Sequence, residues 1–221
     1  MPLFPSLYFF GDDTARSGPE QMALDEALLE SVSTPVLRIY RWDGPAVSFG
    51  YAQSLAAVKK NHPSAPVVRR WTGGGIVEHG SDFTFSLVVP CDEPLAKLRP
   101  AETYRLIHEI SAGLIAGGTR LIRAGENTPG EACFTAPALH DVMTSKGLKL
   151  CGGAQRRTRR GFLHQGSIQN IRLPEDFGQQ FAGGLAARTL LFDQAANGLP
   201  ARAGALAAAK YGSPCWMEKI P

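Results

Sequence analysis

Apolar positions along this chain alternate between two periods, and the switches between them mark the elements. Ser17 and Glu20 stand at capping-box spacing with Pro19 between them, which predicts a helix start. Leu24, Ala27, Leu28 and Val32 then recur at helical spacing, an amphipathic packing helix in which Asp25 and Glu26 have structural rather than catalytic roles. Residues 36–42 change to alternation, with Leu37 and Ile39 against Arg38 and Tyr40, and read as a strand. Asp43-Gly44-Pro45 is a turn, and residues 46–51 return as a second strand in which Gly50 reads as a bulge. Residues 82–89 alternate and then run continuously apolar, as a buried strand does, and Pro90 ends them. Residues 100–114 are helical, with Tyr104, Ile107, Ile110 and Leu114 on one face and Gly117-Gly118 as the stop. A short strand over 119–123, a polar turn over 125–131, a short helix from Pro174 and an alanine-rich helix over 201–210 follow. Strands and helices mix without strict βαβ alternation, so the expected fold class is α+β with a mixed or antiparallel sheet flanked by helices.

Composition narrows the function classes. The 221 residues, 44% of them hydrophobic, are enough for a globular core, and no linker or repeat divides them. One domain over residues 1–221, with no C-terminal accessory domain, is the expectation. No run approaches about 18 uncharged apolar residues, so no membrane span is expected. The start, Met1-Pro2-Leu3-Phe4-Pro5, lacks the pattern of a signal peptide, and a cytoplasmic location is expected. The cysteines at 91, 133, 151 and 215 form no C-x-x-C pair and read as free thiols, and no metal site is expected. A net charge of +3 does not imply nucleic acid. Its local concentration at Arg156, Arg157, Arg159 and Arg160 fits either a solvated loop or a dock for an acidic partner.

Two stretches carry candidate chemistry. In Arg69-Arg70-Trp71-Thr72-Gly73-Gly74-Gly75-Ile76-Val77-Glu78-His79, the glycines can aim N–H groups at a carbonyl, carboxylate or phosphate, or simply make a hairpin turn. His79 either positions the loop, exchanges protons or is a satisfied structural histidine. The other stretch runs from Cys133 through Lys149-Leu150-Cys151-Gly152-Gly153-Ala154-Gln155 to His164-Gln165-Gly166. A thiol, a lysine and a glycine-rich approach surface together suggest acyl transfer. Cys133 is the expected nucleophile, and Lys149 the cation that favours its thiolate and stabilises an oxyanion. Cys151, two residues past Lys149, reads as packing.

These motifs resemble the lipoate–protein ligase / octanoyltransferase family, of the biotin/lipoate ligase-like fold. Lys149 to Gln155 matches the family's lysine segment, and residues 69–79 match its ligand loop. Residues 132–137, Ala-Cys-Phe-Thr-Ala-Pro, resemble the cysteine-dependent octanoyltransferases. Residues 21–29 resemble the family's opening helix, with Gln21 in place of Asn. The resemblance implies that Ser48, Gly50 and Tyr51 meet the ligand pocket. It implies substrate contacts from Arg69, Arg70, Thr72, Gly73, Gly74, Gly75, Ile76, Val77, Glu78, His79, Gly152, Gly153, Ala154, Gln155, His164 and Gly166. His164-Gln165 reverses the Gln-His order usual in the octanoyltransferases, and neighbouring strand residues face opposite sides. The implied reaction moves an octanoyl or lipoyl group from octanoyl-acyl carrier protein to a lysine of a lipoyl-domain protein, such as glycine cleavage H protein or a 2-oxoacid dehydrogenase E2 subunit. Transfer needs no cofactor. An ATP- and magnesium-dependent ligase working through an acyl adenylate, and a non-catalytic binding relative, are the alternatives.

Overall fold

The computed structural model describes residues 2–115, 117–126, 137–195 and 198–219. Eleven strands and six α-helices follow one another along the chain in the described residues. They begin with β1 (Phe4–Arg16), α1 (Gly18–Ser31), β2 (Val36–Trp42), β3 (Ala46–Phe49), α2 (Leu55–Asn61), β4 (Val67–Arg69), β5 (Val77–His79) and β6 (Phe83–Pro90). After α3 (Pro100–Leu114) come β7 (Thr119–Leu121), β8 (Val142–Thr144), β9 (Lys149–Thr158) and β10 (Gly161–Ile168). The remainder is α4 (Phe177–Leu185), β11 (Ala186–Leu191), α5 (Leu199–Leu206), a π-helical turn over Ala207–Tyr211 and α6 (Pro214–Met217).

Eight strands form one sheet in the order β11-β1-β2-β6-β10-β9-β8-β7, and β4-β3-β5 form a second, smaller sheet. β1 runs parallel to both β2 and β11, whereas the pairs from β2 to β7 are antiparallel. The alternation read in β2 and β6 sorts the main sheet into two faces. Leu37, Phe85, Leu87, Val89, Phe162 and Ile168 pack toward Ile107 of α3 and Phe177 and Phe181 of α4. The intervening Val36, Val88 and Leu163 pack toward Leu24 and Leu28 of α1 and Leu199 of α5. Polar residues of the same strands, including Arg38, Ser86 and Gln165, share that second face and reach α1. The period-two geometry of strands thus places a polar layer under α1.

Two expectations change. β3 does not return beside β2; it leaves the main sheet and pairs with β4 and β5, since periodicity identifies a strand without naming its partner. α1 is not amphipathic: residues 21–29 are all buried, Gln21, Asp25 and Glu26 among them. The predicted box is present, with the Glu20 carboxylate accepting from the Ser17 N–H at 2.9 Å and hydroxyl at 2.5 Å. The buried acids survive because they are partnered. Asp25 accepts from Arg38, and Glu26 accepts from Lys210 and Tyr211.

Candidate active site

A narrow pocket lies between the polar face of the main sheet and the small sheet. Met22, Tyr40, Trp42 and Val77 give it apolar walls, and Gly74, Gly152, Gly153, Ala154 and Gly166 bring backbone close on the remaining sides. A wider cleft shares Gly74, Gly153 and Ala154 with it and continues past Tyr104, His140 and Gln155. The shared glycine and alanine positions separate an inner apolar recess from an open approach.

Lys149 sits at the start of β9 and is 2% exposed. Its Nζ is 2.6 Å from Asp141 Oδ2. A Cβ on Gly152 would fall 2.6 Å from that same Nζ, so only glycine lets the ammonium lie over the strand against the pocket wall. Asp141 is fixed by the Ala138 N–H at 2.6 Å and by the Tyr104 hydroxyl at 2.6 Å. The Tyr104 oxygen in turn accepts from the Gly153 N–H at 2.8 Å. A buried cation with an oriented carboxylate partner is thereby held beside the pocket's backbone wall, suited to stabilising negative charge on an acyl carbonyl oxygen.

The glycine loop is built around Arg70. Its guanidinium donates to the carbonyls of Gly73 at 2.9 Å and Gly75 at 2.7 Å, and to Ser48 Oγ at 2.7 Å. Gly74 takes a left-handed conformation, φ 83°. Gly50 is no bulge: a Cβ there would lie 2.0 Å from the Gly74 carbonyl oxygen, so the two backbones meet directly. With a neutral imidazole whose Nδ1 proton faces Asp82, His79 Nε2 accepts from the Ser48 hydroxyl, 2.7 Å away. His79 Nδ1 then donates to Asp82 at 2.8 Å, and the ring stacks on Trp42 with centroids 4.0 Å apart. Burial pushes the His79 pKa down, against the opposing pull of Asp82, which keeps the imidazole neutral. Burial alone would raise the Asp82 carboxyl, but hydrogen bonds from His79, Ser167 and Thr84 hold it below its ordinary value.

Among the residues read from the sequence, Arg70, Gly74, Val77, His79, Gly152, Gly153, Ala154 and Gly166 line the inner pocket together with Ser48. Gly73 and Gln155 line the open cleft, and Thr72 lies behind the loop, donating to Gln165. Four residues have other places. Arg69 turns away and donates to the carbonyls of Tyr51, Gln53 and Met217, over the Phe49 ring. Ile76 packs with Val47, Phe49 and Val58. The Glu78 side chain is exposed beside His62. His164 faces α3, packed among Phe85, Tyr104 and His108, whereas Gln165 faces the pocket. The reversed dipeptide therefore puts the amide, not the imidazole, on the ligand side. Cys133 lies outside the described residues. Cys91 and Cys215 are exposed, Cys151 is buried in the core beside Val142 and Leu150, and the described residues hold no cluster of His, Cys, Asp and Glu able to bind a metal ion.

Sequence reasoning missed Asp141, Tyr104 and Asp82. Asp141 reaches Lys149 only because β8 pairs with β9, which no local spacing announces. Asp82 opened a predicted strand, and its distance of three residues from His79 was the available signal.

Residues 17–206 match the family described as the lipoyl protein ligase A/B catalytic domain. The chain belongs to this family. It is 38% identical over 177 residues to octanoyltransferase LipM of Moorella thermoacetica, covering 71% of this chain and 63% of the relative. Octanoyltransferase LipM of Staphylococcus aureus is 36% identical over 179 residues, with the same shares of each chain. The chain thus spans under two thirds of the length of these relatives. The fold resembles a lipoate-protein ligase A bound with ATP, TM-score 0.71 at 19% identity, over 98% of this chain and 100% of that one. It also resembles Ta0514 of T. acidophilum with bound lipoic acid, TM-score 0.72 at 19% identity, over the same shares. The α+β lipoate/biotin ligase-like architecture expected from the sequence is the one observed. No helix among the described residues is long and apolar enough to cross a membrane.

Proposed function

We propose that this chain transfers an octanoyl (or lipoyl) group from acyl carrier protein to the lysine side chain of a lipoyl-domain protein. The observation that carries the reading is the pairing of a narrow apolar recess with a buried, carboxylate-anchored lysine packed against Gly152 of its wall. The recess suits an unbranched acyl tail, and Lys149 suits the carbonyl end. Relatives named octanoyltransferase LipM support the transfer chemistry.

In this reading the Cys133 thiolate attacks the donor thioester carbonyl. A new C–S bond forms, and the carrier's thiol leaves. The acceptor lysine, as free amine, then attacks the Cys133 thioester; the C–N bond forms, the C–S bond breaks, and the amine's proton passes to the departing thiolate. Lys149 stabilises the oxyanion in both steps. The acyl group arrives already activated, so no nucleotide is needed. The acceptors are lipoyl domains such as those of glycine cleavage H protein or 2-oxoacid dehydrogenase E2 subunits, and the setting is the cytoplasm.

The test incubates the protein with octanoyl-acyl carrier protein and a lipoyl domain without nucleotide. The acceptor should gain the mass of one octanoyl group. Acylation that instead requires free octanoate, ATP and magnesium would identify a ligase and overturn the reading.

A further inference from the structure

Behind the glycine loop runs a line of buried hydrogen bonds that the proposed chemistry does not use. Thr72 Oγ1 donates to Gln165 Oε1 at 2.7 Å, and Gln165 Nε2 donates to Asp25 Oδ2 at 2.7 Å. The other Asp25 oxygen accepts from Arg38 Nη1 at 2.8 Å and Ser86 Oγ at 2.7 Å. Thr72, Asp25, Arg38 and Ser86 are wholly buried, and Gln165 is 7% exposed. A carboxylate only accepts, so the amide nitrogen must face Asp25 and its oxygen must face Thr72. A side-chain amide fills both positions while staying neutral at every pH.

The two ends of this line belong to different parts of the site. Asp25 is anchored in α1, and Arg38 reaches on to Asp12 of β1 at 2.8 Å. Thr72 immediately precedes Gly73-Gly74-Gly75, and its carbonyl accepts from the Tyr51 N–H at 2.9 Å. Gln165 itself borders the recess beside Met22. We infer that Gln165 is a positioning residue: it ties the glycine loop to the buried Asp25–Arg38 pair and so sets where Gly74 and Arg70 stand against the bound acyl group. The kinetic half of the claim rests on the acyl-transfer reading; the structural half does not.

The variants are Thr72→Val, Gln165→Met, both together, and Gln165→Glu. Rates of thioester loading from octanoyl-acyl carrier protein are measured from pH 5 to 9, beside amide hydrogen exchange of the loop. Thr72→Val and Gln165→Met should each lower kcat/KM about tenfold, and the double variant should be no worse than either, because both break one connection. Each should speed exchange at residues 73–76 and leave the β6 and β10 amides protected.

Gln165→Glu adds a decisive readout. Its carboxyl must be protonated to donate to Asp25, with Arg38 of β2 the facing cation and Tyr40, Arg70 and His79 the other ionisable groups lining the pocket. Loading by this variant should fall as pH rises, on a limb absent from wild type. Additive losses, a pH profile parallel to wild type, or unchanged loop exchange would each overturn the assignment. If wild type itself is not loaded, the acyl-transfer reading fails and loop exchange alone decides.

Discussion

Three features of the Lys149 site can be separated by single substitutions: its charge, its carboxylate partner Asp141 and the absent Cβ at Gly152. Removing the charge in Lys149→Met should cost about 10²–10³-fold in the loading rate, the scale of a lost oxyanion donor, read by single-turnover acylation. Gly152→Ala should approach the same loss with the lysine still present, because the added methyl would sit 2.6 Å from Nζ and Cε. Gly152→Ala activity within twofold of wild type would contradict the placement of Lys149. The residue scale also holds a pH signature. Burial pushes His108 down to about 3, and His164 likewise falls well below its ordinary value. Each takes up a proton in the unfolded chain near pH 6.5 but stays neutral when folded. Below that pH the unfolded state binds more protons, so stability falls as pH drops, for His108 from about 6.5 toward 3 by up to about 1.4 kcal/mol per unit, and His164 adds in the same direction. Denaturant unfolding of His108→Gln should show a shallower fall than wild type over that window; an identical slope would refute the assignment of a neutral buried His108.

At the scale of elements, α1 is where sequence and structure part most instructively. Its start was legible from Ser17 and Glu20, because capping is local chemistry. Its environment was not, because the layers that cover Asp25 and Glu26 come from β2, β6 and the π-helical turn, far away in sequence. Asp25→Ala would strip Gln165 and Ser86 of their buried acceptor and leave Arg38 with Asp12 as its carboxylate partner, so it should destabilise the protein by about 2–4 kcal/mol, measured by denaturant unfolding. β2, β6 and α3 were legible for the opposite reason: alternation and helical spacing record which face each residue buries. The same rule, applied to neighbouring residues on β10, anticipated that His164 and Gln165 face opposite ways. Strand partnership was not legible. The β8–β9 pairing that brings Asp141 to Lys149, and the departure of β3 into its own sheet, depend on long-range pairing that a one-dimensional pattern does not encode.

On the scale of the molecule, the main sheet divides labour between its faces. One side buries aromatic and aliphatic residues against α3 and α4; the other carries the polar layer, the recess and α1. The glycine loop, the lysine strand and β10 meet on that second side, so motifs distant in sequence enclose one recess. The proposed chemistry needs one further participant, the Cys133 thiol. Intact-protein mass spectrometry after mixing with octanoyl-acyl carrier protein, without ATP, tests that claim most directly. Wild type should gain one octanoyl group that hydroxylamine removes and that peptide mapping assigns to Cys133, and Cys133→Ala should gain none. An adduct on Cys133→Ala equal to that on wild type, or full acceptor acylation by that variant, would contradict the thioester route.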